Sequence, residues 1–220
     1  MNKETTFFRI RELGLVAVLR SPSREIALRT VDALVAGGVG GIEITFTTPD
    51  AASVVAELAR AYGSEILLGV GTLTSPEQVR ESCDAGAAFL VSPHCEIGLA
   101  KEMTSSGLLT MIGGLTPSEI LQARSFGADI IKLFPGSLGG PDYLRALRGP
   151  FPDLPIVPTG GIELANIADW FAAGAIAVGV GGSLCPGSWV SAGRFAEISA
   201  NATRFQEAIN RARSPVDKVR

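Results

Sequence analysis

The stretch Thr116–Pro135, TPSEILQARSFGADIIKLFP, holds one complete structural unit and the least expected residue of the chain. Thr116 before Pro117 puts a hydroxyl at a helix N-cap and proline in the first turn, and Glu119 completes a capping box. Phe126-Gly127 supplies a C-terminal stop. The run Asp129–Phe134 is then apolar on both faces, as in a parallel sheet covered by helices. Lys132 interrupts it, in a chain with only four lysines (Lys3, Lys101, Lys132, Lys218). An amine held among branched apolar side chains loses hydration, which disfavours the ammonium and frees a nucleophilic lone pair. The plain alternative is a strand-edge lysine snorkelling to water, so the choice rests on the rest of the chain.

The same unit recurs along the sequence. Further apolar, β-branched runs lie at Leu15–Leu19, Gly41–Phe46, Ile66–Val70, Ala88–Ser92, Leu109–Ile112, Pro155–Pro158 and Ala175–Val180, so strands begin every 20 to 26 residues. That spacing fits one strand, one helix and two tight loops. Ser21-Pro22, Thr48-Pro49 and Ser75-Pro76 repeat the helix start, with Ser75…Gln78 as a second capping box. Ala36-Gly37, Ala85-Gly86, Ser106-Gly107 and Ala173-Gly174 repeat the stop. Eight βα units without a linker in 220 residues predict a single (β/α)8 TIM barrel domain over residues 1–220. Residues 1–14 are expected as a leading helix over one end, Ser188–Arg213 as the last helix, and 214–220 as a frayed tail. A doubly wound open sheet is the alternative. It usually carries a dinucleotide fingerprint after its first strand, and Leu19-Arg20-Ser21-Pro22 is not one.

The composition narrows the partners. The net charge of −3 comes from 19 basic and 22 acidic residues scattered along the chain, which argues against nucleic acid or a membrane surface. The three cysteines fit no metal-ligand pattern, and a sole histidine, His94, leaves no His-rich metal site. With no membrane-length apolar run and no signal-peptide core in MNKETTFFRIREL, a cytoplasmic protein is expected.

In such a barrel the chemistry sits where strands end and βα loops begin. Arg20 ends strand one; Glu43, Thr45 and Thr47 share one face of strand two. Strand three ends in Gly69-Val70-Gly71-Thr72 and strand four in Ser92-Pro93-His94. Strand six holds Lys132, strand seven ends in Thr159-Gly160-Gly161, and strand eight in Gly181-Gly182-Ser183. Glu43 is flanked by isoleucines as Lys132 is. A buried ion pair adds little stability, and a barrel built only for packing would place Val, Leu or Ile there. The two glycine pairs at adjacent strands suit a phosphate, with Ser183 as a hydroxyl donor.

Glu43 in Glu-Ile-Thr, Gly69-Val70-Gly71-Thr72, Ser92-Pro93, Lys132 in Ile-Lys-Leu-Phe-Pro-Gly and Pro158-Thr159-Gly160-Gly161 occur in that order. Together they resemble the 2-keto-3-deoxy-6-phosphogluconate (KDPG) and 4-hydroxy-2-oxoglutarate (KHG) aldolase family, from about Leu15 to Leu184. The resemblance implies a (β/α)8 barrel, a homotrimer, and a class I aldolase that needs no metal or other cofactor and acts on a keto acid or phosphosugar acid. It implies that Lys132 forms the Schiff base and Glu43 is the general acid/base. Thr72 and Pro93 would line the pyruvate pocket. Thr159, Gly160, Gly161, Gly182 and Ser183 would hold the substrate's hydroxyls and phosphate.

Two departures bear on the substrate. Thr47 stands where one branch of the family has an arginine that grips the substrate carboxylate, and a hydroxyl cannot replace a bidentate guanidinium. Arg20 is the candidate substitute, as in the related 2-keto-3-deoxy-6-phosphogalactonate aldolases. Gly113 stands where the family tends to have proline, and a looser fifth loop is expected. Cleavage of KDPG is the leading expectation, with KHG or the phosphogalactonate as alternatives. A non-catalytic phosphosugar-binding barrel would need neither Glu43 nor Lys132. His94, Cys95 and Cys185 are read as structural or exposed, and Trp170 as core.

Overall fold

The computed structural model describes residues 2–214. Apart from Ser214, the expected frayed tail lies outside the described residues. Eight parallel strands form one sheet: β1 (Leu15–Leu19), β2 (Gly41–Thr45), β3 (Leu67–Gly71), β4 (Phe89–Val91), β5 (Leu109–Gly114), β6 (Ile130–Leu133), β7 (Ile156–Pro158) and β8 (Val178–Val180). Their order is β7-β6-β5-β4-β3-β2-β1-β8. The two ends of that order meet: Thr159 bridges Gly179, and the Ile176 N–H donates to the Ile156 carbonyl at 3.1 Å. The sheet is therefore a barrel, as expected, with each strand beginning within about two residues of its sequence-predicted run except β8, where the pairing starts later.

Helices alternate with the strands: α1 (Lys3–Leu13), α2 (Arg24–Ala36), α3 (Ala51–Tyr62), α4 (Pro76–Asp84), α5 (Ile97–Ser105), α6 (Pro117–Ser125), α7 (Gly140–Leu147), α8 (Ile167–Ala172), α9 (Gly187–Ser191) and α10 (Phe195–Arg213). The outer core joins one strand face to these helices and includes Trp170, buried as the sequence implied. The inner core fills the barrel with Val16, Leu67, Phe89, Met111, Ile130 and Val157 among others. Ile10 of α1 packs into that inner core, so the leading helix plugs the end where the strands begin. Because side chains alternate along a strand, Ile130 pointing inward means that Lys132 does too.

The caps at Ser75 and Thr116 form as read. The Glu119 N–H donates to Thr116 Oγ1 at 3.3 Å, and the Thr116 N–H donates to the Glu119 carboxylate at 2.8 Å. Gln78 instead accepts from the Thr74 N–H, so Ser75 caps without a reciprocal box. Two expected caps are displaced. Ser23, not Ser21, caps α2, and α3 starts after Asp50, which makes no side-chain cap bond. The Ser21 N–H donates to Thr48 Oγ1 at 3.2 Å, so Thr48 joins the first two βα loops to each other. The expected last helix is broken into α9 and α10, with Gly193 at φ 66° between them. The turn after α2 places Gly38, not Gly37, at positive φ.

Candidate active site

The strand ends bring Lys132 and Glu43 together from opposite walls of the barrel. Lys132 Nζ lies 3.6 Å from Glu43 Oε1, with the residues only 4% and 2% exposed. That distance is an ion-pair contact but too long for a hydrogen bond. Glu43 Oε1 has no other hydrogen-bond partner among the described residues. A buried carboxylate oxygen without a partner costs about 1–3 kcal/mol, so packing alone gives no reason to keep it.

Small residues on neighbouring strands make room for the pair. Glu43 is in register with Gly69, and Lys132 with Gly113. A Cβ on Gly71 would fall 1.8 Å from Glu43 Oε1, so no larger residue fits there with Glu43 in place. Gly113 lies inside β5 rather than in a loop. A Cβ there would stand 2.3 Å from the Pro93 carbonyl carbon, so its absence brings Pro93 close beside Lys132's neighbour strand. The expectation of a loosened fifth loop is corrected: Gly113 permits a tight backbone approach. Thr72 follows Gly71 at φ 59°, a conformation unfavourable for a β-branched residue. Such outliers persist where the surroundings over-determine them, often at functional sites.

Two cavities open at this end of the barrel, both lined by Val18, Gly181 and Gly182. The first, about 590 Å³, is also lined by Arg20, Thr45 and Thr47. The second, about 330 Å³, is lined by Phe134, Thr159, Gly160, Gly161 and Ser183. The Phe134 ring lies 5.4 Å from Lys132 Nζ and so links the second cavity to the buried pair. Thr72 and Pro93 line neither cavity; they adjoin the pair through Gly71 and Gly113.

Arg20 and Thr47, read separately from the sequence, touch. Arg20 Nε donates to Thr47 Oγ1 at 2.8 Å, and Thr47 Oγ1 lies 3.0 Å from the buried Thr45 hydroxyl. Thr47 thus anchors the guanidinium beside the first cavity, and its terminal nitrogens make no hydrogen bond among the described residues. In the second cavity the Ser183 hydroxyl donates to the Ile162 carbonyl and ties the seventh loop to the eighth. The N–H groups of Gly161, Gly182 and Ser183 make no hydrogen bond among the described residues. Cys185 also lines the first cavity, but burial pushes its thiol up to about 12, which removes it as a nucleophile. His94 is exposed, with only its carbonyl engaged, by the Ser92 hydroxyl at 2.8 Å. Among the described residues no three His, Cys, Asp or Glu side chains gather as a metal site, and no helix is long and apolar enough to cross a membrane.

Comparison with known families agrees with this geometry. A family model described as KDPG and KHG aldolase matches residues 8–201. The chain belongs to that family. It is an aldolase, a carbon–carbon lyase. Among its relatives the KHG/KDPG aldolase of Escherichia coli strain K12 is 35% identical over 196 residues, 88% of this chain and 91% of that protein. The 2-dehydro-3-deoxy-6-phosphogalactonate aldolase of the same strain is 32% identical over 174 residues, 79% of this chain and 85% of that protein. Among solved structures, the Legionella pneumophila KDPG aldolase, with pyruvate captured at low pH as a covalent carbinolamine, superposes with a TM-score of 0.80 at 28% identity. That match covers 86% of this chain and 92% of the other.

The sequence reading missed the cavity-lining Val18 and Phe134, and it missed Asn201 behind the eighth loop. Asn201 is 7% exposed on α10 and donates to the carbonyls of Ser183 and Leu184. A signal was present: Asn201 is in helical phase with the apolar Ile198 and Phe205, where an unpaired amide would be costly.

Proposed function

We propose that the chain is a class I aldolase that cleaves KDPG to pyruvate and glyceraldehyde 3-phosphate through an imine on Lys132. The observation that carries this reading is the buried Lys132–Glu43 pair, 3.6 Å apart, with Glu43 Oε1 making no hydrogen bond among the described residues. Glu43 can accept a proton from the ammonium, leaving a neutral amine to attack the C2 ketone. Glu43 then supplies a proton to the departing carbinolamine hydroxyl, and the iminium forms with loss of water. The iminium accepts the electron pair of the C3–C4 bond as Glu43, directly or through a water, takes the C4 hydroxyl proton. The aldehyde leaves, the enamine is protonated at C3, and hydrolysis returns the amine and frees pyruvate. The iminium is the electron sink, so no metal enters the scheme. The carbinolamine of the Legionella relative supports the same chemistry here.

Arg20, held by Thr47, takes the substrate carboxylate in the first cavity. The glycine amides of the second cavity receive the phosphate, and Thr159 the sugar hydroxyls. As the family resemblance implies, the enzyme works as a homotrimer; its composition, read above, suits the cytoplasm. A second reading, the phosphogalactonate epimer, is favoured by Arg20 and by the name of the relative that is 32% identical. Retro-aldol turnover of the two phosphorylated epimers and of KHG, each with and without EDTA, tests the proposal. It predicts the highest kcat/KM for KDPG and no loss with chelator. A preference for the galactonate epimer would install the second reading, and activity abolished by EDTA would contradict the imine scheme.

A further inference from the structure

The turn after β8 is held from behind by a single helix side chain. Leu184 and Cys185 donate their N–H groups to the Gly181 carbonyl at 3.0 and 2.9 Å. The carbonyls of Ser183 and Leu184 point the other way, and both accept from Asn201 Nδ2 at 2.9 Å. These bonds fix the peptide planes on either side of Leu184, and with them the turn that begins at Gly181. The Gly182 and Ser183 N–H groups are left without partners among the described residues, and both residues line the second cavity. The Ser183 hydroxyl is committed to the Ile162 carbonyl, so it braces the adjacent loop as well.

We infer that Asn201 is a positioning residue for anion binding: it orients the Gly182–Ser183 amides toward the substrate phosphate without touching it. The inference rests on the proposed phosphate role of the second cavity. Backbone donors aimed in advance bind an anion more tightly than donors that must be ordered on binding. Removing the Asn201 amide frees the turn to rotate its peptide planes away. Lys132 and Glu43 belong to other strands, and Arg20, just past β1, is held by Thr47, so these groups keep their geometry. The cost therefore falls on phosphorylated substrates alone. Loss of one aimed, charge-assisted donor raises KM about tenfold.

The test compares wild type with Asn201→Ala and Asn201→Asp, using KDPG and KHG as substrates and inorganic phosphate as inhibitor. The inference predicts that KM for the phosphorylated substrate rises about tenfold with kcat retained. KHG kinetics stay unchanged, and the phosphate inhibition constant rises in parallel. Borohydride trapping of pyruvate confirms that each variant is folded around Lys132. An equal loss on both substrates would mean that Asn201 only supports the fold and would overturn the inference. Unchanged KM and unchanged phosphate inhibition would overturn it as well. Failure of the underlying reading is separable, because wild-type enzyme would then show no inhibition by phosphate and no advantage for the phosphorylated substrate.

Discussion

At the scale of single residues, desolvation separates function from packing. Lys132 and Glu43 bring two charges out of water for an attraction that often fails to repay the cost. The proposed imine chemistry would give a reason to hold an amine and a carboxylate together in the barrel interior. Arg20 illustrates the opposite case, an exposed cation whose role depends on its anchor. Thr47 holds Nε, which in the proposed site would order the guanidinium before a carboxylate arrives. Arg20→Ala is predicted to raise the Michaelis constant for KHG at least tenfold, the value of one charge-assisted contact, with a smaller effect on kcat. Steady-state kinetics check this, and an unchanged constant would remove Arg20 from the site.

At the scale of elements, the helix starts set register and the strand ends set chemistry. The capping box of α6 has a defined contribution. The N–H groups of Thr116 and Leu115 hold the Glu119 carboxyl below its ordinary range. Its lowered folded value means that this contribution is present at neutral pH and fades as the pH falls through that value. Thr116→Ala is predicted to cost about 1 kcal/mol and to lower the melting temperature by about 2–4 °C, with turnover unchanged. Thermal unfolding checks it. The eight strands were legible because runs buried on both faces have few other readings. The caps at Ser21 and Thr48 were misread because a hydroxyl before proline also suits a loop, and here those hydroxyls bond to loop backbone. The break at Gly193 was marked by its glycine, but the surrounding residues favour helix.

At the scale of the whole molecule, barrel closure does what local sequence cannot. Glu43 and Lys132 lie 89 positions apart in sequence, on β2 and β6, and only the closed eight-strand order places them face to face. Pattern and resemblance supplied the residues; closure supplied the 3.6 Å. The contact between Arg20 and Thr47 was likewise invisible in sequence, since it depends on the β1–β2 register, in which Val18 pairs with Glu43. The central claim is that this enclosed amine is the nucleophile. Borohydride reduction in the presence of pyruvate, followed by intact mass and peptide mapping, tests it most directly. The account predicts one pyruvyl adduct per chain, on Lys132, absent in Lys132→Ala. A folded protein that forms no adduct, or forms it on another lysine, would contradict the account.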